Sequence, residues 1–307
     1  MHVLHVAINV IMKFINKQIS NVFSLIFSDT SQDFVEKSII TFAIVSFIVH
    51  LSLILLSSSD LGILSLSGEL FENPLAAIYT PFSFILIYEV YLLIFYLPQS
   101  FTYYLSKQYE IITLIVLRRF FKDISVLDFS DTQNSLMNNV SILYDVIAAI
   151  IMFLLLYFFR KNLNIKDRKK VNLGSDLKSF ILQKKFIAII LVPVFALLAL
   201  DSFQSWFTGF GRVGYSTNIN YIFFEQFFTF LIFVDISILL LSFYYKNDFH
   251  KIIRNSGFII STVIIRISFG ITGILNLSLL LLAIIIGIMV QKIHNLYEKD
   301  ILSKKST

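Results

Sequence analysis

Cysteine is absent from the 307 residues. Its absence excludes disulfides, thiolate metal centres, iron–sulfur clusters and cysteine nucleophiles together, and leaves the redox compartment open. Charge is scarce too: charged residues make up 15% of the chain while hydrophobic ones reach 57%, with a mean hydropathy of +0.80. A soluble domain holds roughly 25% charged and 45–50% apolar residues. So apolar a chain must present apolar side chains outward as well as inward, and the solvent that tolerates this is lipid. Glycine is also rare, 10 residues in all, and proline rarer at 4. Carriers built on unwound half-helices show Gly/Pro interruptions in both halves, and that signature is weak here. Close packing through paired small residues is equally poorly supplied, so phenylalanine and leucine must fill the interior.

What the chain has instead is long apolar runs. A bilayer-spanning helix needs about 20 mostly apolar residues with every backbone group satisfied internally. Eight stretches qualify: 38–57, 75–97, 104–121, 140–159, 183–202, 219–245, 255–270 and 273–292. The fold expected is all-α, a polytopic transmembrane helical bundle of about eight spans. In the second, Asn73 suits an N-cap, Pro74 the first helical position, and Pro98 the stop. The third carries Lys107, Glu110, Arg118 and Arg119, which also suits a helix lying partly along the interface. Gly270-Ile271-Thr272-Gly273 joins the last two as a hairpin or as one broken helix.

Charge placement sets the orientation. The segment from Arg160 to Lys185 holds nine Lys/Arg against Asp167 and Asp176, which marks it as cytoplasmic by the positive-inside rule. Counting outward, Lys246, Lys251, Arg254 and the tail from Lys292 to Lys305 fall on the same side. Both termini are then cytoplasmic, in a cell inner membrane. The first 28 residues repeat Leu4, Ile8, Ile11, Ile15, Ile19, Val22 and Ile26 on one face. His2, His5, Asn9, Lys13 and Asn16 lie on another. That is an interfacial amphipathic helix, suited to anionic headgroups, whereas Lys13 breaks the apolar run that a signal peptide needs. The organisation expected is an interfacial helix (1–28), a first four-helix membrane unit (29–160), a basic loop (161–182), a second four-helix unit (183–294) and a cytoplasmic tail (295–307).

The two units resemble each other. Glu89 lies inside the second span and Arg118 inside the third; Asp235 lies inside the sixth and Arg266 inside the seventh. At 1.5 Å per residue, each acid and arginine come within about 6–8 Å in depth, which suggests two parallel four-helix repeats related by an axis along the membrane normal. Charges persist inside a bilayer only where they face the bundle interior, since each costs at least about 2.5–3.5 kcal/mol. Glu89, Arg118, Asp235 and Arg266, with the intramembrane His50, therefore form either a polar pathway for protons or small cations, or buried ion pairs that fix helix register. A neutral imidazole at His50 suits proton relay or a satisfied core position. Asp145, Asp201 and Glu225 fall near span ends and read as interfacial.

Other patterns carry no chemistry. Gly209-Phe210-Gly211-Arg212-Val213-Gly214 spells a dinucleotide fingerprint without the preceding strand it requires. His2 and His5 lack a third ligand, no Ser/His/Asp set shares one depth, and nothing beyond Arg168-Lys169-Lys170 points to nucleic acid. The chain reads as a non-enzyme without cofactor or metal, acting on protons or small cations, or through a protein partner or a second copy of itself. The stretch Arg254-Asn255-Ser256-Gly257-Phe258, with the apolar run to Arg266, resembles a feature of an uncharacterised family of bacterial multi-pass inner-membrane proteins. Ser106 through Glu110 to Arg118 resembles it more loosely. That resemblance implies a bacterial inner-membrane location and no activity.

Overall fold

The computed structural model describes residues 2–57, 74–125, 134–162, 175–209, 219–245 and 249–305. Nine α-helices run through them: α1 (His2–Ile26), α2 (Asp29–Ser57), α3 (Tyr79–Tyr96), α4 (Phe101–Ser125), α5 (Asn134–Lys161), α6 (Ser175–Gly209), α7 (Ile219–Tyr245), α8 (Phe249–Ser268) and α9 (Ile274–Lys305). A 3-10 turn over Pro74–Ile78 leads into α3, and the described residues contain no strand. Five helical segments are long and apolar enough to cross a membrane: Phe14–Ser57, Ile142–Lys161, Lys178–Leu198, Gln226–Tyr244 and Ile274–Ile301; Thr80–Tyr96 is a shorter apolar helix. Asn73, the basic run at 168–170 and Arg212 lie outside the described residues.

Local chemistry explains the boundaries. Ser28 caps α2, its hydroxyl accepting the Ser31 N–H at 3.1 Å, so α1 and α2 are separated by a capped break of two residues. Pro98, which cannot continue a helix, follows the end of α3. Between α8 and α9 the chain turns through residues 269–273, where Gly273 takes φ +72°, a left-handed conformation that glycine adopts without steric cost. The pair is thus a hairpin and not one broken helix. Two boundaries move from the sequence expectation: α6 starts at Ser175, inside the expected basic loop, and α9 runs on to Lys305, through the expected tail.

Side-chain pairings show that consecutive helices run antiparallel. Tyr88 reaches back to Glu36 and Thr80 to His50 between α2 and α3, and Arg160 to Ser106 but Arg119 to Asp145 between α4 and α5. Neighbours in sequence are neighbours in space along α2–α3–α4–α5 and again along α6–α7–α8–α9, while α5 packs on α9 and both α1 and α3 touch α6. The outer faces are apolar: Phe42, Phe153, Phe233 and Leu275 are each more than 60% exposed. In α8 the pattern is inside-out, with Asn255, Ser261, Thr262 and Ser268 buried and Ile253, Ile260 and Ile267 turned outward.

Helix α4 occupies the centre. No residue from Phe101 to Phe121 is exposed. The sequence offered an interfacial position for this stretch because of its charges; the structure instead surrounds it with other helices. Aromatic rings fill the space that small residues would otherwise close. Phe101 and Phe159 both pack on Phe258, and Phe195 lies 4.8 Å from Phe227. Two glycines are needed for this packing: an added Cβ at Gly257 of α8 would meet Val290 of α9 at 2.7 Å, and at Gly287 of α9 it would overlap the Tyr109 hydroxyl of α4. Gly287→Ala is expected to lower stability in detergent by about 1–3 kcal/mol through overpacking, despite alanine's better helix propensity. Adding Tyr109→Phe removes the clashing oxygen, so thermal unfolding of the double variant should recover much of that loss.

Candidate functional site

The polar residues of α4 organise the interior into separate clusters. Toward its start, Lys107 lies between two carboxylates, reaching Glu89 of α3 at 3.3 Å and pairing closely with Glu110 one turn on. Glu110 also pairs with Arg160 of α5, whose Nε donates to Ser106 at 3.2 Å. Two acids and two bases thus form a chain with no net charge. Toward the end of α4, Arg119 donates two parallel bonds to Asp145 of α5, at 2.9 and 2.7 Å, and a third to Asn276 of α9 at 3.0 Å. The fork geometry suits a planar guanidinium against a carboxylate.

A third cluster is built differently. Asp235 of α7, 1% exposed, accepts one bond from Gln108 Nε2 at 3.3 Å, and Gln108 itself is fully buried. Tyr104 and Thr262 also face the carboxyl, and Lys184 acts on it electrostatically. Three polar atoms of this cluster, Asp235 Oδ1, Gln108 Oε1 and the Tyr104 hydroxyl, have no hydrogen-bond partner. Buried polar atoms are nearly always satisfied. The Tyr104 hydroxyl faces both the carboxyl and the Gln108 amide, so these atoms form one buried polar cluster around the carboxyl, where a further proton or small cation would find oxygen ligands. Nearby, Tyr109 and Ser261 share a buried hydrogen bond of 2.8 Å, and Ser261 donates to the Ala283 carbonyl at 2.7 Å. That patch is closed.

The five residues singled out from sequence are distributed among these surroundings. Glu89 takes Lys107 as its ion partner, so the expected Glu89–Arg118 pair is not formed; Arg118, buried at 6% exposure, donates to Ser83 of α3 at 3.3 Å. Likewise the expected Asp235–Arg266 pair gives way to Asp235–Gln108, and Arg266 donates to Thr229 of α7 at 2.5 Å. For the first pair the mismatch is one of depth: the α3–α4 turn lies at 97–100, so Glu89 is level with Lys107, and Arg118, level with Ser83, sits about 16 Å farther along α4. His50 Nδ1 meets Thr80 at 2.6 Å, between α2 and α3, apart from the groups that face Asp235. Asp145, expected at the interface, is 4% exposed and held by Arg119. Asp201 is exposed, and the side chain of Glu225 lies outside the described residues.

Sequence reading missed Gln108 and Tyr104, since neutral polar residues in a helix carry no signal of their own. Their i, i+4 spacing with Ser100 and Lys107-Gln108 with Ile111-Ile112 places polar and apolar groups on every face, which hydropathy averages away. No protein family, curated protein or solved structure matches the chain.

The Arg119–Asp145 pair yields a direct expectation. Asp145 is buried while the Arg119 side chain is 31% exposed, so the loss falls below that of a fully buried pair, and Asp145→Asn should lower stability by about 1–3 kcal/mol. Asp201→Asn, at an exposed carboxylate, should stay within about 0.5 kcal/mol of the parent. Parallel melting curves in one detergent check both.

Proposed function

We propose that the protein is an eight-span integral membrane protein whose interior moves protons or small cations, with Asp235 as the acid they meet. The observation that supports this is the orphaned cluster at the core: a carboxylate oxygen, an amide oxygen and a phenol, all buried and lacking hydrogen-bond partners. An intramembrane carboxylate is costly and persists where it serves a pathway or finds a partner. Asp235 takes a 3.3 Å bond from a neutral amide, with Tyr104, Thr262 and Lys184 also acting on it; neutral donors are weaker partners for a full negative charge than charged ones. A proton on Oδ1, or a small cation among the three oxygens, supplies what the protein leaves undone. The charge-neutral chain Glu89–Lys107–Glu110–Arg160 is assigned a structural part, holding α3, α4 and α5 in register.

The eight spans in this reading are α2 to α9. Helices α4 and α8 are too charged to qualify by apolarity alone, yet α8 lies between α7 and α9, which do, α4 lies between α5, which does, and the shorter apolar α3, and both run antiparallel to their neighbours. The two runs α2–α5 and α6–α9, which meet through α5 and α9, support the arrangement as parallel four-helix repeats. Arg160, Lys161, Lys251, Arg254 and Lys292 gather toward one end of the bundle, which the positive-inside rule assigns to the cytoplasm.

A second reading, a non-transporting sensor or anchor subunit, draws on α1. Its last turns dock through Phe23 and Phe27, which are buried, while Phe14 and Leu25 stay 62% and 76% exposed. Such a face suits a lipid interface or a partner protein.

Flux in proteoliposomes under an imposed potential separates the two. Wild-type protein is expected to pass protons, Na⁺ or K⁺ above the level of empty liposomes. Asp235→Asn should cut that flux at least about tenfold, the scale of one lost charge-assisted contact of roughly 1.5–3 kcal/mol, without loss of folded protein. Glu89→Gln should change it far less. Absence of flux for all three ions across a range of pH would contradict transport and favour the second reading.

A further inference from the structure

Away from the Asp235 cluster, three metal-ligating side chains meet where the start of α8 lies against the late turns of α9. His250 comes from the first turn of α8, and His294 and Glu298 from α9. One ligand atom from each lies within 4.8 Å of the others. The four-residue spacing of His294 and Glu298 puts them on one face of α9, and the antiparallel hairpin brings His250 opposite. The imidazoles of His250 and His294 stack at 5.4 Å between centroids, inclined by 18°.

The geometry around His294 shows that this spot is arranged for a cation. Arg254 Nη1 lies 2.9 Å from His294 Nε2. A guanidinium can only donate, so Nε2 is the unprotonated nitrogen and turns its lone pair toward that point. Glu298 Oε1 lies 3.2 Å from the same nitrogen. A lone pair and a carboxylate oxygen facing each other at that range repel unless positive charge sits beside them, and here the Arg254 guanidinium supplies that charge. Zinc bound tetrahedrally through bonds of about 2.0–2.1 Å holds its ligand atoms about 3.3–3.4 Å apart, which is close to the separation already present. His250 must swing inward by a side-chain rotation, and the Arg254 guanidinium must give up the His294 lone pair.

We infer that His250, His294 and Glu298 form a binding site for a divalent transition metal of the zinc class, bridging α8 and α9 at this end of the bundle. Two imidazoles and one carboxylate are a ligand set that zinc takes, leaving the fourth position for water. Cysteine-free chemistry suits it, since imidazole nitrogen favours zinc, nickel and copper over magnesium or calcium. Arg254 is the competitor. Its guanidinium is also held by Asn255 Oδ1, through Nε at 3.3 Å and Nη2 at 3.2 Å, so it keeps an anchor when metal takes the His294 lone pair. The site stands independently of the transport reading, because its ligands, location and metal class all differ from those around Asp235.

The test uses the full chain, purified without a polyhistidine tag and carrying His2→Ala and His5→Ala to remove the N-terminal histidines. Titration with Zn²⁺, followed by calorimetry and by Zn²⁺-dependent thermal stabilisation, is expected to give one site per chain. Co²⁺ in its place should show the intense visible absorption of a tetrahedral ion. Glu298→Gln, nearly isosteric, should weaken binding at least about tenfold, as should His250→Ala. Arg254→Gln should tighten it severalfold by removing the competing charge. No binding by the parent chain, or binding that neither Glu298→Gln nor His250→Ala diminishes, overturns the assignment; a weaker site in Arg254→Gln overturns the competitor's role.

Discussion

A helix with charges on several faces cannot lie against hydrocarbon, and α4 is such a helix. It carries Lys107, Glu110, Arg118 and Arg119 within thirteen residues, where each charge left facing lipid costs at least about 2.5–3.5 kcal/mol. The arrangement of the other helices follows from hiding it. Helix α3 supplies Glu89 and Ser83, α5 supplies Asp145 and Arg160, α7 supplies Asp235, α8 supplies Ser261, and α9 supplies Asn276. Each contact is of a kind that loses much when one partner is removed, because the survivor stays buried. The polar spine therefore specifies which helix sits where. Packing by aromatic rings, which is less directional, fills the remainder.

This division of labour accounts for the composition. With glycine scarce, the helices cannot approach closely over long stretches, and the contacts at Gly257 against Val290 and at Gly287 against Tyr109 are local exceptions. Large rings such as Phe195, Phe227 and Phe258 occupy the wider spaces between axes. The helices that ring α4 turn phenylalanine, leucine and isoleucine outward, which is why the chain as a whole reads as lipid-soluble while its central element does not. Helix α8 obeys the same rule, with Ser261, Thr262 and Ser268 inward and Ile253, Ile260 and Ile267 outward.

Much of the fold was legible in the sequence, because apolar length and breakers are local signals. The stop at Pro98, the interruption at Gly270–Gly273 and the helical character of the expected spans can be read from a few adjacent residues, though only the structure shows that the interruption is a hairpin. Partnership could not be read. Glu89 and Arg118 were matched by depth, yet Glu89 meets Lys107, which is nearer the turn, while Arg118 reaches α3 about three turns farther along, at Ser83. Asp235 finds Gln108, 127 residues away, and an amide in a helix gives no sequence signal of its role. The third span was the most ambiguous for the reason that makes it central: hydropathy takes charge to mean exposure, and only tertiary structure shows that here it means burial. The metal-ligating trio was equally hidden, because its histidines stand 44 residues apart and become neighbours only when α8 and α9 fold back.

The most direct measurement of α4's position exploits the absence of cysteine. Single cysteines placed in turn from position 101 to 121, each carrying a spin label, report collision with oxygen from lipid and with a polar relaxation agent from water. A helix buried on all sides predicts low accessibility to both at every position, with no 3.6-residue oscillation. A regular oscillation in oxygen accessibility, with one face open to lipid, would contradict the central placement of α4 and the polar spine built on it.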